Sequence, residues 1–147
     1  MNSLKKYEMI IYCLIYPILT MSFFMIWIHQ STLPGGDIGM SPFLVGIILL
    51  IVFGIEITLV LILRKRITSL RDKLISLIIA FLIYELTMWT LGGFGEFSLL
   101  ESFKKPFEEN IEGAFSFSSI FSLVIILGLI LITERINKKT LHNTVHN

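Results

Sequence analysis

Between Phe43 and Leu63 the chain reads FLVGIILLIVFGIEITLVLIL, twenty-one residues with a single ionisable side chain, Glu56, and no proline. As a helix rising 1.5 Å per residue, such a run is about 31 Å long, which matches the hydrocarbon core of a bilayer. Its flanks mark its limits. Ser41-Pro42 offers a serine cap followed by proline at the first helical position, and Arg64-Lys65-Arg66 closes the run with charge. Backbone groups in lipid must be satisfied internally, and the alternation of period two that a barrel needs is missing, so the run reads as a helix.

Three further runs share this character, at about 9–28, 74–91 and 114–133. The first follows Lys5-Lys6, as a signal peptide would, but signal cleavage needs a small-residue site. The only alanines are Ala80 and Ala114, so the run is expected to remain as an anchor. Pro17 lies inside it and withholds a backbone donor, which predicts a kink near Cys13–Pro17. Leu33-Pro-Gly-Gly-Asp-Ile-Gly39 carries too many breakers for a helix and reads as a turn-rich loop. Gly92-Gly-Phe-Gly95 closes the third run; it ends an apolar helix and opens none after a strand, so it is no phosphate loop.

Composition agrees. Of 147 residues 54% are hydrophobic and only 16% charged, with a mean hydropathy of +0.82, where a soluble chain carries about 25% charged. The net charge of +1 excludes a nucleic-acid binder built on a basic surface. One cysteine, Cys13, excludes an intrachain disulfide, a CxxC redox centre and a thiolate zinc cluster.

Four crossings put both termini and the loop Arg64–Lys73 on one side. That side collects Lys5, Lys6, Arg64, Lys65, Arg66, Arg71, Lys73, Arg135, Lys138 and Lys139, ten of the twelve basic residues, and leaves only Lys104 and Lys105 opposite. The positive-inside rule therefore predicts cytoplasmic termini. The basic loop itself reads first as a topology signal and second as a lipid-recognition patch. Trp27 and Trp89 near the outer span ends suit an aromatic interface belt, and His29 is an interface residue of the same kind.

The outer segment Glu96–Glu112 holds five acidic residues interleaved with apolar ones. Ser98-x-x-Glu101 has the form of a capping box. Phe97, Leu100, Phe103, Phe107 and Ile111 recur every three or four positions, the pattern of a helix lying on the membrane surface, with Pro106 breaking or restarting it. A connector resting its phenylalanines in the interface is the plain reading; a docking surface for an extracytoplasmic partner is the sharper one.

Two carboxylates fall inside the runs, Glu56 and Glu85. Each costs about 2.5–3.5 kcal/mol on insertion scales, which the surrounding Ile, Leu, Val and Phe outweigh. If the second and third runs form an antiparallel hairpin, the two groups differ in depth by about one helical turn and can meet. Neutral carboxyls, or a pair sharing one proton, are the forms lipid favours. Proton relay or cation binding is one reading. The other is interhelical glue, with Thr20 expected as partner for Glu85, and Tyr84 or Thr87 for Glu56. A third is pairing with a basic residue of another membrane protein.

In the fourth run Ala114, Ser118 and Ser122 recur at four-residue spacing, with Ser116 and Ser119 beside them, a stripe of small residues that lets helices approach closely. Gly46 and Gly54, eight apart in the second run, lie on roughly one face too. Packing within the bundle is the plain reading and oligomerisation the other; a hydroxyl-lined pore is weakly signalled. His142-x-x-x-His146 falls in a polar tail, 137–147, expected to fray, so no metal site is expected there. The constellations that serve enzymes in membranes are incomplete: there is no cysteine pair, no aspartate and no histidine within a run, and no carboxylate in the first.

The expected architecture is thus all-α, a four-helix transmembrane bundle forming one integral membrane domain over residues 1–147, with both termini cytoplasmic and a short interfacial helical segment in the last outer loop. The expected localisation is the plasma membrane, and the isoleucine-rich, alanine-poor usage suggests an AT-rich bacterial genome. The leading functional expectation is a non-enzymatic accessory, regulatory or immunity-type protein that acts through helix–helix and outer-loop contacts, with lipid and another membrane protein or a second copy as partners. The rival is a small proton- or cation-coupled transporter or channel using Glu56 and Glu85. No cofactor or metal is expected.

Overall fold

The computed structural model describes residues 2–32, 35–63, 69–91 and 111–145. The fold is all-helical: α1 Asn2–Gln30, α2 Gly35–Ile38, α3 Ser41–Leu63, α4 Leu70–Leu91 and α5 Ile111–Val145. Four of these hold stretches long and apolar enough to cross a membrane, Glu8–Gln30, Ser41–Ile62, Leu70–Thr90 and Gly113–Asn137. They fit a multi-pass membrane protein. The four expected runs lie inside the four long helices, each of which overshoots its run at one or both ends.

Three local expectations change. The segment 33–39 is not wholly a loop, because Gly35–Ile38 makes one helical turn, closed by the Gly39 amide on the Gly35 carbonyl at 3.0 Å. Ser41 does not cap α3 by accepting from an amide; its hydroxyl donates to the Ile38 carbonyl at 2.7 Å, tying α2 to the start of α3. The tail does not fray at Asn137, since α5 continues as helix to Val145. His142 lies on that helix; His146 lies outside the described residues.

The start of α4 has a reciprocal cap that the sequence reading missed. The Ser69 hydroxyl accepts from the Asp72 amide, and the Asp72 carboxylate accepts from the Ser69 amide, both at 3.2 Å. This is the capping-box arrangement with aspartate in the third position.

Helix α1 packs on α5 and α3, and α4 packs on the same two, closing a four-helix ring. Bonds between chain-distant residues set the directions. Glu8 at the start of α1, Lys73 at the start of α4 and Glu134 late in α5 meet, so α1 and α4 run together and α5 runs against both. The core is large-residue packing, with Tyr16, Tyr84, Phe24, Phe115, Ile48, Met88, Ile126 and Ile130 all buried. At the end remote from the termini the rings of Phe24 and Phe115 pack at a tilt of 38° with centroids 4.8 Å apart. Trp27 stacks on Phe24 and is buried, so it joins this core instead of the expected interface belt, whereas Trp89 remains exposed. Ile18, Leu50, Ile62, Leu82, Val124 and Ile132 are each more than half exposed. An apolar surface on that scale needs lipid or partners around it.

Candidate functional site

Polar chemistry lies on the inside of this bundle. Glu8, Tyr12, Tyr16 and Thr20 stand at four-residue spacing on α1, and one helix turn between successive members lines them up on one face. Lys73, Ser76, Tyr84 and Glu85 face them from α4; Ser116, Ser118, Ser119, Ser122, Thr133 and Glu134 come from α5. From Ser116 to Glu134 the row follows eighteen residues of α5, about 27 Å of rise, most of a hydrocarbon core.

At the end that holds the termini, the Lys73 ammonium lies 2.9 Å from Glu8 and 2.7 Å from Glu134. One cation between two carboxylates clamps three helices at a single point. Tyr12 stands beside it, its hydroxyl 3.2 Å from the Glu8 carboxylate and 3.3 Å from the Thr133 hydroxyl. None of these residues was an expected site. From the sequence Lys73 reads as a topology signal, and the run 9–28 holds no carboxylate, whereas the apolar stretch begins at Glu8.

One turn deeper sits Glu56, 3% exposed. Its Oε2 accepts from the Ser76 hydroxyl at 3.3 Å and from the Cys13 thiol at 3.8 Å. Its Oε1 is buried and has no hydrogen-bond partner among the described residues. A cavity of about 10 Å³ borders it, lined by Tyr12, Cys13, Tyr16 and Pro17 on α1 and by residues of α3, α4 and α5.

Further along, Tyr16 also lines that cavity, yet its hydroxyl reaches across to hydrogen-bond Ser119 of α5. Its ring therefore connects the level of Glu56 with a second polar level. There Ser116 donates to the Glu85 carboxylate, the Tyr84 hydroxyl donates to the Phe115 carbonyl at 3.3 Å, and Tyr16 lies within electrostatic range of both glutamates.

Glu56 and Glu85 do not meet. Ser76, the α4 partner of Glu56, precedes Glu85 by nine residues, about 13 Å along the axis. The depth estimate from chain position failed because Lys73, taken as the edge of the span, is itself pulled into the bundle by two carboxylates. The expected glue partners also differ. Thr20 bonds back to the Tyr16 carbonyl at 2.9 Å and Thr87 to Ile83 at 2.7 Å, each within its own helix. Both glutamates face inward.

Ala114, Ser118 and Ser122 are buried at 0%, 3% and 0% exposure where α5 packs within the bundle, and both serines bond back to the carbonyl four residues before them. Their stripe serves intramolecular packing. Gly46 and Gly54 do not, since an added methyl at either would meet nothing within 4 Å. Phe97, Leu100, Phe103 and Phe107 lie outside the described residues. Ile111, grouped with them, is the first residue of α5 and packs half-buried against the core.

Among the described residues no cluster of three metal-ligating side chains occurs. Comparisons with family models, with curated proteins and with solved structures found no match, so the site is read from its own chemistry.

Proposed function

We propose that this chain is a small multi-pass protein of a bacterial plasma membrane, with cytoplasmic termini, that passes protons along the polar row inside its bundle in a transport or gating role. The observation that carries the reading is Glu56, a carboxyl buried at mid-helix with one oxygen unpartnered among the described residues, beside a cavity of water size. A carboxyl oxygen held by the bundle's own side chains would serve as glue; one they leave open can take up and give back a proton. Carboxyl, phenol, thiol and hydroxyl groups all exchange protons, and all four long helices contribute them over the roughly 27 Å between the levels of Ser116 and Glu134. The cavity is too small for a hydrated ion or solute, which favours the proton over other cargo. Ten of twelve basic residues on one side support the orientation.

The test is flux into liposomes loaded with a pH-sensitive dye, under an imposed potential. Wild type is expected to acidify the lumen, and Glu56→Gln to slow this at least tenfold. Absence of flux in wild type, or flux indifferent to both Glu56→Gln and Glu85→Gln, removes the reading.

A second reading, the accessory, regulatory or immunity-type protein working through helix and outer-segment contacts, is supported by an open apolar groove between α1 and α3. Leu14, Pro17, Met21, Gly46 and Leu50 line it. Pull-down in mild detergent is expected on that reading to return one defined membrane partner or a second copy, and recovery of the monomeric chain alone counts against it. In neither reading is the chain an enzyme.

A further inference from the structure

We propose that the cavity between α1, α3 and α4 binds a single structural water, which donates one hydrogen to Glu56 Oε1 and the other to the backbone carbonyl of Cys13. Three observations converge on this place. Glu56 lines the cavity, and its Oε1 is buried with no partner among the described residues. Pro17 lies within α1 four residues after Cys13 and has no amide hydrogen to give the Cys13 carbonyl, so the normal helical bond to that carbonyl cannot form. Both Cys13 and Pro17 line the same cavity. Two acceptors at one place ask for a ligand with two donors.

Size and chemistry select water. The cavity measures about 10 Å³, at the lower edge of the roughly 10–15 Å³ that one water requires, and a buried water needs two to four polar partners. Hydrated metal ions are too large, ammonium has four hydrogens to place where two acceptors stand, and a bare monovalent cation needs more oxygens than these. The same water serves either state of Glu56. Beside the carboxylate it donates; beside the protonated acid it accepts from Oε1 while still donating to Cys13. This also gives Pro17 a role. A proline mid-span costs one helix bond, and here the freed carbonyl becomes half of a binding site.

The site stands independently of the proton reading. It is tested by infrared difference spectra of the full-length protein in nanodiscs, comparing H₂¹⁶O with H₂¹⁸O. Wild type is expected to show one sharp, isotope-shifted O–H stretching band from a water shielded from bulk. Glu56→Leu removes an acceptor and is expected to abolish that band. Ala80→Val, which adds methyl groups to the cavity wall while leaving Glu56 in place, is expected to abolish it too. Pro17→Ala restores an amide to Cys13 and is expected to move it. A wild-type spectrum with no such band means a dry cavity and overturns the proposal. So does a band that survives Ala80→Val, and that comparison decides the matter even where Glu56→Leu fails to fold. A band without liposome flux keeps the water and sinks the proton reading; flux without a band does the reverse.

Discussion

Lys73 shows how much one side chain can decide. Its ammonium holds Glu8 and Glu134 together, and without it two like charges face each other in a poorly hydrated place. Lys73→Met is therefore expected to destabilise the bundle by about 1–2 kcal/mol. The figure lies below the 3–5 kcal/mol of a fully buried pair because the Glu8 and Glu134 side chains keep 13% and 23% exposure. Adding Glu8→Gln to Lys73→Met should recover part of the loss, a double-mutant cycle readable by thermal unfolding in detergent. If the two losses simply add, the clamp has no energetic content. Ser116→Ala removes a donor from the buried Glu85 carboxylate and is expected to cost about 1–3 kcal/mol by the same measurement. Such residues were only half legible in the sequence. Glu56 and Glu85 stand out because a carboxylate in an apolar run is conspicuous. Glu8 and Lys73 do not, since charges at span ends normally mark topology, and Tyr12 and Tyr16 pass for apolar bulk although their four-residue spacing from Glu8 was there to be seen.

Among the elements, α5 and α3 make opposite use of small residues. Ser122 is fully buried in the bundle, whereas Gly54 faces outward with nothing within 4 Å of an added methyl. Ser122→Leu is expected to overpack the core, costing about 1–3 kcal/mol. Gly54→Leu should leave melting unchanged or raise it slightly, since glycine is a poor helix former. Equal effects at the two sites would mean that the packing described for α5 is wrong. At the head of α4, Ser69→Ala breaks the reciprocal cap with Asp72 and is expected to cost about 1 kcal/mol, with faster amide exchange confined to the first turn. Element type was fully legible here, because nothing but a helix satisfies twenty apolar residues in lipid. Helix rotation was not. Helices α3 and α4 are apolar nearly all round, so outside the stripes on α1 and α5 no pattern tells which face turns inward, and the partners of Glu56 and Glu85 depend on that rotation.

For the molecule as a whole, reporters fused at residue 1 and residue 147 are both expected to be active only in the cytoplasm, and the chain should leave the membrane only with detergent. Activity of either reporter outside reverses the proposed orientation. The four-span layout was readable from hydropathy. The ring order of the helices came from bonds such as Tyr12 to Thr133, 121 residues apart, which no local pattern encodes.

The length of α5 has one more implication. Its apolar stretch ends at Asn137, yet the helix continues to Val145, eight residues and about 12 Å further. The same rod that carries Ser116 and Ser119 deep in the bundle thus runs on past its apolar stretch without a break. Any partner that gripped that extension and twisted it would transmit torque straight to the Tyr16 and Glu85 contacts, with no loop between to absorb the turn.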